Sequence, residues 1–91
     1  MYTMKELELY LKKYGSHFLA SLCTEPYCEY FFSKNTGIIV YIRIDNDLII
    51  IGNPLANKND YHKLFDEFVL ANPNKKISAF LVYADFASIL V

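Results

Sequence analysis

Two places in this chain combine residue types that could serve chemistry. The first is Gly52-Asn53-Pro54, which ends the apolar run Asp47 to Ile51 and precedes a polar stretch, Asn57 to Asp60, that can open a helix. A glycine between a strand and a helix lets backbone N–H groups approach a phosphate or carboxylate, which the helix N-terminus then helps to hold. The same three residues also make a sharp strand exit with no ligand at all. Glycine tolerates an unusual backbone, Asn bonds its own main chain, and proline fixes φ while removing one donor. The second place is Arg43, at the end of a mostly apolar strand face. A guanidinium there can pair with an acidic group or a phosphate, or simply meet solvent.

The remaining polar candidates are weaker. His62 and Asp66 stand i,i+4 on the polar side of a helical segment, but no nucleophile accompanies them and a solvated face is the simpler reading. His17 lies beside Phe18 and Leu19 and reads as a core histidine. Cys23 and Cys28 have no second Cys or His pair nearby, so two ordinary buried thiols fit better than zinc. Nowhere does the sequence offer a nucleophile, a base and a group to orient them. The expectation is no catalytic residue, no metal and no cofactor, with Arg43, Gly52, Asn53 and Pro54 as candidate binding residues.

These residues must be positioned by elements that the spacing predicts. Thr3 and Glu6 have capping-box spacing; Met4, Leu7, Leu11 and Tyr14 share a stripe, Glu8 and Lys12 form an i,i+4 pair, and Gly15 supplies a stop. A first helix is expected there. Ser16 to Tyr27 is ambiguous between a short helix and extended chain, broken by Pro26. Three strands follow, Cys28 to Phe32, Ile38 to Ile44 and Leu48 to Ile51. Their joints are short and rich in Asn, Asp and Gly, which predicts an antiparallel meander.

Ile38, Val40, Ile42 and Ile44 share one face of the middle strand, while Ile39 and Tyr41 share the other before Arg43. Such a sheet has to be covered on both sides, by helices or by another subunit. After the Gly-Asn-Pro loop, Asn57 or Asn59 can cap a second helix with Asp60 in its first turn. Tyr61, Leu64, Phe65, Phe68 and Val69 then face the core, and Pro73 ends the helix. Ile77 to Tyr83 is a fourth, central-looking strand, and Asp85 can cap a last helix from Phe86. That helix reaches Val91 with its apolar face unfinished, so the chain is expected to be one part of something longer.

Composition bounds the function. Ninety-one residues make one domain, 1–91, with a single modest core. With 54% hydrophobic and 21% charged residues, the chain is expected to fold. A net charge of −1 gives no electrostatic reason to bind nucleic acid. Eight Tyr and seven Phe exceed what so small a core absorbs easily, so some are expected to face a partner. The longest apolar run, Ile38 to Ile42, falls far short of the roughly 18–20 residues of a membrane-spanning helix. The charged, amphipathic N-terminus does not read as a signal peptide, and with two cysteines a cytoplasmic location is expected.

The order helix, antiparallel meander, helix, strand, helix is the layout of the GNAT fold of the N-acetyltransferase superfamily. From Leu11 to Leu90 the sequence resembles, more closely, the first lobe of the soluble tandem-GNAT domain of the phosphatidylglycerol lysyltransferase family. The resemblance is carried by Phe31-Phe32-Ser33, Gly37 with Tyr41 and Arg43, Gly52-Asn53-Pro54, Phe65 with Phe68, and Phe80 to Tyr83.

It implies an α/β (α+β) GNAT-like half domain, helices on the sheet faces, taken from a protein that transfers an amino acid from a charged tRNA to a membrane lipid. In that family two GNAT lobes sit together on the cytoplasmic side, and the second carries most of the recognised catalytic residues. Asn53 stands where the family usually has Asp, which removes a carboxylate. The segment Gly52 to Asp60 also lacks the basic start and second glycine of the acetyl-CoA loop. The implied role is a non-catalytic scaffold or dimerisation module, partnered by a second copy or a second GNAT-like lobe. Any membrane link would come through the full-length family protein. Two alternatives stay open: an acyl- or aminoacyl-transferase active only as a dimer or with a second lobe, and a small regulatory or adaptor protein built on the same half-fold.

Overall fold

A computed structural model describes residues 4–14, 27–33, 36–80 and 86–88. Helix α1 (Met4–Tyr14) is followed by strands β1 (Glu29–Ser33), β2 (Gly37–Ile44), β3 (Asp47–Ile51) and β4 (Leu55–Ala56). A 3-10 turn (Lys58–Asp60) leads into helix α2 (Tyr61–Ala71), and strand β5 (Lys76–Phe80) comes next. Residues 86–88 are helical. The expected cap at Thr3, stop at Gly15, core His17, thiol Cys23, break at Pro26 and cap at Asp85 lie outside the described residues.

The expected meander forms. β1 pairs antiparallel with β2 from Glu29↔Tyr41 to Ser33↔Gly37, and β2 with β3 from Tyr41↔Ile50 to Ile44↔Asp47. A two-residue turn joins the second pair, with Asp45 at φ 55, a backbone that Asp tolerates better than most side chains. β5 joins parallel to β3, so the sheet is mixed, in the order β1-β2-β3-β5. Parallel neighbours need a crossover, and α2 supplies it. β5 therefore ends the strand order among the described residues instead of standing at its centre.

The alternation read along β2 places its side chains as expected. Ile39 and Tyr41, with Leu48 and Ile50 from β3, pack against Leu64 and Phe68 of α2 and against Phe86. Ile38 and Val40 pack on the other face against Leu7 and Leu11 of α1, with Cys28 and Leu55. The sheet is thus covered on both faces by helices. Ile44 departs from the pattern: it lies at the hairpin end, paired with Asp47, and is 53% exposed. Val69 does likewise at the far end of α2, whose buried stripe is Tyr61, Leu64 and Phe68 with Phe65 partly covered.

Two further corrections concern the entry to α2. Asn57 caps as expected, but it caps the 3-10 turn, accepting from Asn59 N–H at 3.1 Å. Asp60 sits at the N-cap position of α2, not within its first turn, and its side chain makes no capping bond. At the other end Asn72 closes the helix, its side-chain amide donating to Phe68 C=O at 2.9 Å. Ser33 Oγ donates to Glu67 Oε2 and ties the end of β1 to α2.

Candidate functional site

The Gly52-Asn53-Pro54 corner is built into the sheet. β2 is continuous, but its partner along one edge changes from β3 to β4. Tyr41 faces Ile50 on β3, and Ile38 faces Leu55 on β4. Ile39 and Val40 lie between those pairs on β2, whereas Ile51, Gly52, Asn53 and Pro54 lie between them on the other strand. Four residues thus stand against two, and the extra length is taken up as a bent corner of the special-bulge kind. Gly52 takes φ 73, where a Cβ would be strained, and its N–H donates to Phe80 C=O at 2.8 Å. Pro54 is buried, has no N–H, and accepts from Ala56 N–H at 3.0 Å through its carbonyl. The short strand β4 was missed in the sequence because two residues carry no period. Only their pairing with Gly37 and Ile38 defines it.

Gly37 explains why that pairing is so close. A Cβ built on it would lie 2.5 Å from Ala56 Cβ and 2.6 Å from Leu55 O. The loop after Gly52 is therefore clamped between β2 and β5, with the N–H of Gly52 already committed to Phe80.

Arg43 lies elsewhere. It stands opposite Leu48, so Gly52 is four positions further along the strand direction, roughly 13 Å at about 3.3 Å per residue. The candidate binding residues do not converge on one site. Arg43 instead forms an exposed pair with Glu29 of β1, Nε to Oε2 at 3.2 Å and a guanidinium N–H to Oε1 at 3.4 Å. Tyr41 Oη donates to the same carboxylate at 3.4 Å. The hydrogen bond to Glu29, and then its charge, raise the Arg43 pKa further. Tyr41 is pushed above the ordinary phenol value of 10.0, first by burial and then by the Glu29 charge. His62 and Asp66 are 3.7 Å apart and well exposed, as a solvated helix face should be.

The sequence reading missed a cleft of about 370 Å³ between α1 and the start of α2, lined by Leu9, Tyr10, Lys13, Tyr14, Thr36 and Asp60. Tyr10 and Tyr14 stack along the helix with centroids 6.1 Å apart, and Lys13 Nζ lies 5.2 Å from the Tyr14 ring centroid. Tyr10 meets Phe32 edge-on below. The signal was present in the spacing of Tyr10, Lys13 and Tyr14, which share one helix face. Thr36 and Asp60 reach that face only through the fold. An aromatic wall with one cation and one carboxylate suits non-covalent binding. Among the described residues nothing in the cleft pairs a hydroxyl with a base. No cluster of three His, Cys, Asp or Glu side chains that could hold a metal occurs among them, and no helix there is long and apolar enough to cross a membrane.

No protein-family model matches the sequence, and no curated protein matches it. Among solved structures, the fold is similar to L-PGS, a lysyl-phosphatidylglycerol synthase, from Bacillus licheniformis. The TM-score is 0.78 at 17% sequence identity, over 93% of this chain and 27% of that one. The likeness defines the class of fold, a mixed α+β sheet with helices on both faces, compatible with a GNAT-like half domain. This chain spans little more than a quarter of the structure it resembles.

Proposed function

We propose that this chain is a non-catalytic N-terminal lobe of a phosphatidylglycerol lysyltransferase-like protein, acting as a scaffold or dimerisation module. The observation that carries the reading is the fold match, which places nearly the whole chain on a quarter of L-PGS. The chemistry of the candidate residues supports it. Arg43 is held by Glu29 and the Gly52 N–H is held by Phe80, and among the described residues no nucleophile–base pair accompanies either. A second reading, a transferase competent only once assembled, draws on the Tyr10–Lys13–Tyr14–Asp60 cleft as a surface that a second lobe could complete.

The test uses the purified chain, phosphatidylglycerol vesicles and labelled lysyl-tRNA, with and without the isolated catalytic lobe of a lysyl-phosphatidylglycerol synthase. The chain alone is expected to transfer nothing, and its addition is expected to bind the catalytic lobe and raise its activity. Transfer by the chain alone, or no association with the lobe, overturns the scaffold reading. Under the second reading, Asp60→Asn and Lys13→Gln lower the assembled activity without weakening association.

A further inference from the structure

β5 ends the strand order, and among the described residues only β3 pairs with it. Its bonds to β3 leave from alternate residues. Lys76 N–H donates to Asn46 C=O at 3.2 Å, and Phe80 C=O accepts from Gly52 N–H at 2.8 Å. In a parallel ladder, a residue that bonds one neighbour does so with both its groups, and the residues on either side turn both of theirs away. Ile77 and Ala79 therefore direct N–H and C=O to the outer edge, while Ser78 bonds inward. On the α1 side of the sheet, Ser78 is exposed and Phe80 is 56% exposed. Phe80 there lines an apolar hollow of about 170 Å³ with Tyr27, Ile42 and Ile51.

We propose that the outer edge of β5 pairs, antiparallel, with β5 of a second copy of this chain, about a two-fold axis through Ser78. The proposal rests on the dimerisation reading above and gives it an edge and a register. In this register Ile77 of one copy and Ala79 of the other form the hydrogen-bonded pairs, each exchanging both bonds, and the two Ser78 residues form the non-hydrogen-bonded pair between them. Lys76 comes opposite Phe80 of the partner copy. The two cations stand at opposite ends of the paired segment, and each lysine stem lies along an exposed ring. A register centred on Lys76 would set like charges face to face. Sliding by two residues either way shortens the paired segment. Among the described residues, only the Ser78 centre pairs the whole of Lys76–Phe80. Association also covers an edge that no other strand pairs with among the described residues, the kind of edge that otherwise recruits unrelated strands.

The Ser78 pair supplies the test. Non-hydrogen-bonded partners have Cα atoms about 4.5 Å apart, inside the roughly 4.4–6.8 Å that a disulfide spans. Mild oxidation of Ser78→Cys is expected to give a covalent dimer on a non-reducing gel. The unsubstituted chain and Lys76→Cys, whose two copies would lie four residues apart, are expected to give none. Sedimentation of the unsubstituted chain at high micromolar concentration should give the mass of two chains. Phe80→Lys, a change at an exposed position that leaves the core intact, places cation against cation and should weaken the dimer about tenfold or more. A one-chain mass at high micromolar concentration overturns the proposal. So does a Ser78→Cys chain that stays monomeric on oxidation, or a Lys76→Cys chain that links equally well. A monomer that still activates the catalytic lobe overturns this inference and leaves the scaffold reading standing. A linked dimer that ignores that lobe does the reverse.

Discussion

Gly37 has no room for a side chain. With a Cβ 2.5 Å from Ala56 Cβ and 2.6 Å from a backbone oxygen, Gly37→Ala must push β4 off β2. The expected loss is about 1–3 kcal/mol, the usual range for overpacking, read from urea unfolding. Gly52→Ala fails for a different reason, the φ of 73, and should cost about 1–2 kcal/mol in the same assay. Tyr41 gives a pH test. Its phenol is raised above 10.0, so the folded state holds the proton that the unfolded chain has already released. Its contribution to stability is complete below pH 10 and is lost as the pH climbs through the raised value. Tyr41→Phe should flatten the alkaline limb of the stability curve; an unchanged limb would show that Tyr41 carries none of it. At this scale the sequence was only partly readable. Gly52 was recognisable as a corner from its neighbours. The Arg43–Glu29 pair was not, because it depends on a register that sets Glu29 opposite Tyr41 and diagonal to Arg43.

At the scale of elements, the two periods in the sequence did most of the work. Alternation along Ile38 to Ile42 assigned each residue to its correct face, and the stripe Tyr61, Leu64, Phe68 found the helix side that packs. What failed was whatever required a distant partner. β4 is too short to show a period, β5 pairs parallel across a crossover, and Val69 falls outside the buried stripe of α2. Phe68 tests the α2 layer. It is wholly buried, with Phe31 and Tyr41 rings edge-on at 5.4 and 5.1 Å. Phe68→Ala should cost about 3–5 kcal/mol, enough to unfold much of a small domain at room temperature, as circular dichroism would show. On the opposite face Leu7→Ala, at a residue equally buried, should cost about 2–5 kcal/mol.

For the molecule as a whole, the two packed layers share one sheet, so losing either bares one apolar face of β2 to water. Far-ultraviolet circular dichroism and tyrosine fluorescence are expected to report one superimposable unfolding transition, and Leu7→Ala should move both together. Separate midpoints would show that α1 melts on its own. The order of events during folding follows from the connectivity of β5. The β1–β2 and β2–β3 pairings close short turns, whereas β3 meets β5 only after the whole of α2 has intervened. Closing that larger loop loses more chain entropy before any ladder bond repays it. Nucleation should therefore lie in the meander, with β5 arriving late. Substitutions around Tyr41 and Ile50 should slow refolding, and Ile77→Val should mainly speed unfolding. On a ribosome, this chain would hold a nearly finished three-stranded sheet while its fourth position along the strand order waited for residues still to be made.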